Sequence, residues 1–234
     1  MIDVLYIVGP QDELSEKSLR WSLRSLAKYG TGVGRVIVSG YPPDWLAPCV
    51  DRFRSEDRGE PHKFARIWRT LFDALDAGLV SGDFVMAHDD NYYTKPLAVD
   101  ETPLWYRKDE LPTIDCEVRG GRNYRISLAA TRQTLLDAGY GIVDAANHCN
   151  MRFSTDDADE CRRLWRESRY PDAKSIGLDL GVMFYNVRMK RAPFVGTYRK
   201  DRKVFNLTDD DIKSGQFSSD ARTFADKKFV NWFD

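Results

Sequence analysis

Three adjacent side chains stand out for the chemistry they could do: His88, Asp89 and Asp90, in the stretch "FVMAHDDNYYTKP". An apolar segment runs straight into two neighbouring carboxylates. Like charges that close repel, so water, an arginine or a divalent cation must compensate them. A carboxylate pair offers hard oxygen ligands, which suit Mg²⁺ or Mn²⁺. A cation held there would neutralise a diphosphate and stabilise the charge that develops as it leaves. His88 reads equally as a hydrogen-bonded histidine at a strand end.

Position supports chemistry for this pair. "DFVMAH" reads as a buried strand, with Asp89 and Asp90 just past its carboxyl end. In open α/β sheets, ligands bind outside the carboxyl ends of strands. The elements upstream have the right grammar. "DVLYIV" is a near-continuous apolar run closed by Gly9-Pro10, a strand ending in a turn. "ELSEKSLRWSLRSLAKYG" places Leu19, Leu23 and Leu26 at helical spacing, with Ser15 as the expected N-cap and Gly30 as the stop. "RVIVSG" is a second strand, "YPPDWL" a rigid turn and "PCVDRF" a third strand. "PHKFARIWRTLFDALDAG" is the clearest amphipathic helix, with Phe64, Trp68, Leu71, Phe72 and Leu75 on one face and Gly78 or Gly82 ending it. Strands alternating with helices predict a mostly parallel α/β sheet.

Downstream the periodicity fades. "PLWYRK" reads as a short strand and "EVRGGRNYR" as a polar loop. "AATRQTLLDAG" and "DADECRRLWRESRY" read as helices, and "LGVMFYNV" as a strongly apolar strand. The expectation is one domain over 1–234, with a nucleotide-type first half (1–106) and an irregular second half (107–234).

Composition narrows the class further. The chain has 234 residues and 42% hydrophobic content, enough for a real core. No apolar run approaches 18 residues, so no membrane span is expected. The start, "MIDVLYIVGP", lacks a basic n-region and reads as a strand rather than a signal peptide. The four cysteines are widely spaced, with no C-x-x-C pair, which argues against a zinc knuckle and predicts reduced thiols in a cytoplasmic protein. Charge is uneven: between Arg119 and Lys203 bases outnumber acids, while the rest of the chain is net acidic. That asymmetry is either an anion-facing surface or an incidental one.

"VMAHDDNYY" resembles the Asp-x-Asp-type motif of GT-A glycosyltransferases, in a variant with His88 in the first acidic place. "LRWSLRSL", "RVIVSGYPPDWL" and the late "GQFSSDARTF" resemble segments of small phage and capsule-type members. The resemblance covers about the first hundred residues closely and the last thirty loosely, and it implies a GT-A-like, Rossmann-like fold. It implies a nucleotide pocket lined by Gly9, Pro10, Ser39 and Gly40, with Arg20 or Arg24 and Lys63 or Arg66 as phosphate or base contacts. Asp89 would lie near ribose and metal, with Asp90 as the main metal ligand, His148 as a later ligand, and Asp220 as catalytic base or acceptor contact. The departure at His88 leaves the ribose-holding group open.

The bland readings are a solvated helix face for Lys63 and Arg66, a snorkelling Arg24 and a helix cap for Asp220. The implied reaction moves a sugar from a nucleoside diphosphate sugar, with a UDP-sugar favoured and Mn²⁺ or Mg²⁺ as cofactor. The favoured acceptor is a hydroxymethylated pyrimidine in phage DNA, met by the basic 119–203 region in the host-cell cytoplasm. A polysaccharide or capsule glycan is the competing acceptor. Two further alternatives are a metal-dependent nucleotidyltransferase and a non-catalytic nucleic-acid-binding module. "VGPQDELSEKS" has one glycine and lacks the Gly-rich loop usual for the former.

Overall fold

A computed structural model describes residues 1–10, 12–56, 58–60, 62–93, 95–102, 105–106, 121–145, 150–191, 197–198 and 204–206. The chain opens with β1 (Ile2–Val8) and α1 (Glu13–Tyr29). Asp12, not Ser15, is the N-cap of α1. Its carboxylate accepts from the amides of Leu14 and Ser15, and the Ser15 hydroxyl, at N3, closes a capping box. Gly30 ends α1 as expected. A short β2 (Gly30–Thr31) precedes β3 (Val33–Gly40), and β4 (Val50–Arg54) follows the proline turn. The amphipathic α2 (Lys63–Asp76) leads through Gly78 (φ 66°) to β5 (Asp83–Ala87).

Beyond β5 lie β6 (Asn91–Tyr93), β7 (Leu97–Ala98) and β8 (Trp105–Tyr106). Then come α3 (Arg122–Asp137), β9 (Met151–Ser154), α4 (Thr155–Glu167), α5 (Pro171–Ser175) and α6 (Leu180–Arg191). Strands β10 (Thr197–Tyr198) and β11 (Val204–Asn206) are the last described elements. They pair with β8 and β6, and β2 pairs with β7.

The main sheet has the order β4-β3-β1-β5-β9. The first four strands are parallel and β9 is antiparallel to β5. It is the mostly parallel sheet that the strand–helix alternation predicts, with one reversed edge that the sequence pattern did not show. Successive side chains of a strand point to opposite faces, so β1 feeds two cores. Val4, Tyr6 and Val8 pack with Leu19, Leu23 and Leu26 of α1. Leu5 packs on the other face with α2 and α3–α6. Helices thus cover both faces.

The apolar run "LGVMFYNV", expected as a strand, is the first eight residues of α6. Asp179 starts it: Oδ1 accepts from the Val182 amide at 3.0 Å and its carbonyl from Met183. From Val182 to Val187 every side chain is buried. A helix apolar all round shows no 3.6-residue stripe, so periodicity cannot separate it from a buried strand. Cys49 is exposed and Cys161 is buried. Among the described residues, no helix is long and apolar enough to cross a membrane.

Candidate functional site

The carboxyl ends of β1 and β5 and one face of α2 enclose a cavity of about 290 Å³. It gathers six of the residues singled out from sequence: Gly9, Lys63, Arg66, His88, Asp89 and Asp90. Its far wall comes from the chain's second half, through Tyr124 of α3, Met151 of β9 and the segment Asp179–Gly181.

The acidic residues sit in a tight turn closed by the Asn91 amide donating to the His88 carbonyl at 3.2 Å. Two distant elements fasten its ends. At the strand exit, the His88 amide donates to Asn150 Oδ1 at 3.0 Å. At the far end, the fully buried Ser22 of α1 donates to the Asn91 carbonyl at 2.6 Å. Ser22 has one proton and spends it there, so the Tyr6 hydroxyl, 3.1 Å away, is the donor to Ser22 Oγ. Burial pushes the Tyr6 phenol far up, with Tyr93 and Asp89 adding to the shift, so it stays neutral and donating. One turn on, Ser25 Oγ accepts from the Tyr93 amide at 3.0 Å. Burial pushes the Tyr93 phenol up to about 12, against a small opposing pull from Asn150 and Thr102.

The serines of "WSLRSL" are therefore buried anchors for the acidic turn. Removing the Ser22 hydroxyl leaves a buried carbonyl without its donor. Ser22→Ala is expected to cost about 1–3 kcal/mol, read as a lower midpoint in urea unfolding. An unchanged midpoint would show that the serine does not hold the turn.

Across the cavity, α2 presents Lys63 and Arg66. No described carboxylate pairs with either, although Asp89, Asp90 and Asp179 share their cavity. Lys63 Nζ lies 5.4 Å from the centre of its neighbour Phe64. The backbone at this helix start is largely committed. The Ala65 amide donates to the Ile176 carbonyl at 3.0 Å, and the Phe64 amide faces His62 Nδ1 at 3.4 Å. Gly177 makes this approach possible: at φ 96°, a Cβ there would fall 2.6 Å from the Ala65 nitrogen. An anion at this wall would therefore meet the Lys63 and Arg66 side chains rather than free helix amides. Phe64 and Tyr124, with ring centres 6.0 Å apart, add flat apolar surface.

Five of the sequence candidates are not among the cavity-lining residues. Arg20 of α1 stacks on Trp45 with its guanidinium 3.8 Å from the ring centre, and Trp45 Nε1 donates to Glu16. Arg24 is half-buried elsewhere on α1. Ser39 is fully buried inside β3. Gly40 serves strand packing: at φ 107° a Cβ would lie 2.2 Å from the Val8 carbonyl oxygen. Pro10 is exposed beyond β1. His148 and Asp220 lie outside the described residues.

Asp179 was missed from sequence. The signal available was an acid directly ahead of an apolar run, an N-cap pattern hidden by reading that run as a strand. Tyr124 and Met151 carry no sequence signal, because only the folding of α3 and β9 against the sheet brings them here.

Among the described residues, no three His, Cys, Asp or Glu side chains gather closely enough to hold a metal ion. The described carboxylates at the acidic turn are Asp89 and Asp90, and that donor set is a pair. It fits a Mg²⁺-like cation, which takes one or two carboxylates and completes its shell with phosphate oxygens and water. Asp89 and Asp90 are the residues that would hold it. No protein-family model matches this chain, and a search of curated proteins finds no relative.

Proposed function

We propose that this protein is a metal-dependent glycosyltransferase of GT-A-like architecture, moving a sugar from a nucleoside diphosphate sugar to a hydroxyl acceptor. One observation carries the reading. Two carboxylates, and two cations that no described carboxylate pairs, line one cavity at the carboxyl edge of a parallel sheet. A ligand with both anionic oxygens and an attached cation would meet both kinds of group. A nucleoside diphosphate with Mg²⁺ or Mn²⁺ has that character.

When bound, the cation would neutralise charge on the departing diphosphate. Lys63 and Arg66 add positive charge on the opposite side, Arg66 as a planar fork matched to phosphate oxygens. Phe64, Tyr124 and the apolar floor exclude water from the donor. Tyr6, Ser22 and Asn150 keep the acidic turn in place while charge shifts. Holding an acceptor oxygen near the sugar supplies much of the remaining rate.

The first acceptor reading is a hydroxymethylated pyrimidine in DNA. A specific observation favours a glycan hydroxyl as the second. Four arginines of the basic 119–203 region are used inside the fold: Arg152 pairs with Asp83, Arg162 with Asp76, Arg163 with Glu160 and Glu167, and Arg188 with Asp157. The positive face is thinner than the sequence count implied.

Thermal shift with UDP- and GDP-sugars tests the donor reading. A ligand at about 100 times its Kd stabilises by about 2.7 kcal/mol. One nucleotide sugar is expected to raise Tm only with Mn²⁺ present. Arg66→Ala is expected to weaken that shift by the loss of about 1.5–3 kcal/mol of charge-assisted bonding. A shift with nucleoside triphosphates alone would instead identify a nucleotidyltransferase. No shift with any nucleotide sugar would end the transferase reading.

A further inference from the structure

On the outer side of α2 a second cavity, about 250 Å³, is lined by Arg69, Trp165, Arg166 and Lys174. Three cations thus arrive from three different helices, α2, α4 and α5, at one opening. We propose that this cavity is a phosphate-binding site separate from the donor cavity.

The floor is built and rigid. Trp165 is almost fully buried, donates from Nε1 to the Ala173 carbonyl at 2.6 Å, and lies nearly parallel to Trp68. Arg69 is fixed above it, its guanidinium 5.4 Å from the Trp165 ring and its Nε donating to Glu60 at 3.1 Å. Arg166 and Lys174 are different. Both are exposed, and no carboxylate pairs with either among the described residues. The contrast lies within α4 itself, where Arg162 and Arg163 each hold an acid. The fold neutralises the arginines it uses for packing and leaves two cations beside a third at one hollow.

Like charges brought together repel, and an entering anion relieves that repulsion. Guanidinium forks match the paired oxygens of a phosphate, and an ammonium adds a point charge. Glu60 offsets one of the three charges, which leaves the site attractive to a phosphate monoester or to a single phosphodiester. Nothing here depends on the donor reading, since the cavity shares no lining residue with the first.

The test uses the full chain with Lys63→Ala and Arg66→Ala in place, so that binding at the donor cavity is suppressed. Inorganic phosphate is titrated while the Trp165 indole N–H is followed by NMR, assigned through Trp165→Phe. A saturable shift is expected, and Arg166→Ala or Lys174→Ala should each raise the apparent Kd about tenfold. Both positions are exposed, so these variants should fold as the parent does. An indole signal that phosphate leaves unmoved, or that still saturates at the same concentration in the double Arg166→Ala/Lys174→Ala variant, overturns the proposal.

A single-stranded oligodeoxynucleotide then separates the sources. Tighter binding than phosphate, with the log–log salt slope falling by about 0.7 for each cation removed, assigns the site to a polynucleotide backbone. Binding of phosphate but not of the oligonucleotide assigns it to a small phosphate ester.

Discussion

An Asp90→Asn protein is expected to fold normally and to lose sugar transfer by a factor on the order of 10²–10³ or more, the scale for deleting one preorganised electrostatic group. Asp90 Oδ1 accepts from Asn91 Nδ2 at 2.9 Å, and asparagine keeps an oxygen for that bond. The substitution therefore removes charge without opening the turn. Mn²⁺ affinity, followed by the paramagnetic signal of the free ion, should fall together with turnover. With the Asn91 bond kept, unfolding should stay within about 1 kcal/mol of the parent, the usual size of a single substitution's effect. Turnover equal to the parent's would remove the metal assignment, whatever the donor proves to be.

The largest expected loss of stability comes from Trp68→Ala. Trp68 is fully buried, stacks between Trp165 and Phe184, and tilts against Phe72. Its Nε1 donates to the Leu178 carbonyl at 2.7 Å. Truncation opens a large cavity, about 3–5 kcal/mol, and leaves a buried carbonyl unpaired. At about 2–4 °C per kcal/mol for a chain of this size, Tm should fall by about 10 °C or more.

The same change should weaken nucleotide-sugar binding. Trp68 ties α2, which carries Lys63 and Arg66, to the residue just ahead of Asp179 on the far wall. Trp68→Phe keeps most of the volume and loses the bond, so it should fall between the two. A Tm within about 2 °C of the parent for Trp68→Ala would show that this aromatic stack is not what joins the walls.

The parts legible in sequence are those whose cause is local. Apolar runs identified β1, β3 and β5, and "PCVDRF" marked β4. The Phe64, Trp68, Leu71, Phe72 stripe identified α2, because one side of that helix meets solvent. Asp89 and Asp90 could be placed at a strand's carboxyl end from neighbouring residues alone. The failures share a different cause. Residues 182–187 of α6 are all buried, which leaves no stripe to read there. The cap of α1 moved from Ser15 to Asp12 because both residues belong to one capping box. Ser39 and Gly40, pocket residues by resemblance, are not among the residues that line the cavity. Gly40 answers to the Val8 backbone beside it.

By itself, then, the sequence determined the strand–helix alternation of the first hundred residues, the position of an acid pair at one strand's end, and a cationic helix start at Lys63 and Arg66. Only the tertiary structure decided that these acids and cations share a cavity, that Tyr124, Met151 and Asp179 close it, and that Ser22 and Asn150 hold the turn. It also decided which arginines of the second half are neutralised. The reason is physical. Periodicity and turn chemistry act between residues a few positions apart, whereas Ser22 meets Asn91, and His88 meets Asn150, across more than sixty residues of chain. Such contacts are set by how a whole sheet and its helices pack, which no short stretch of residues encodes.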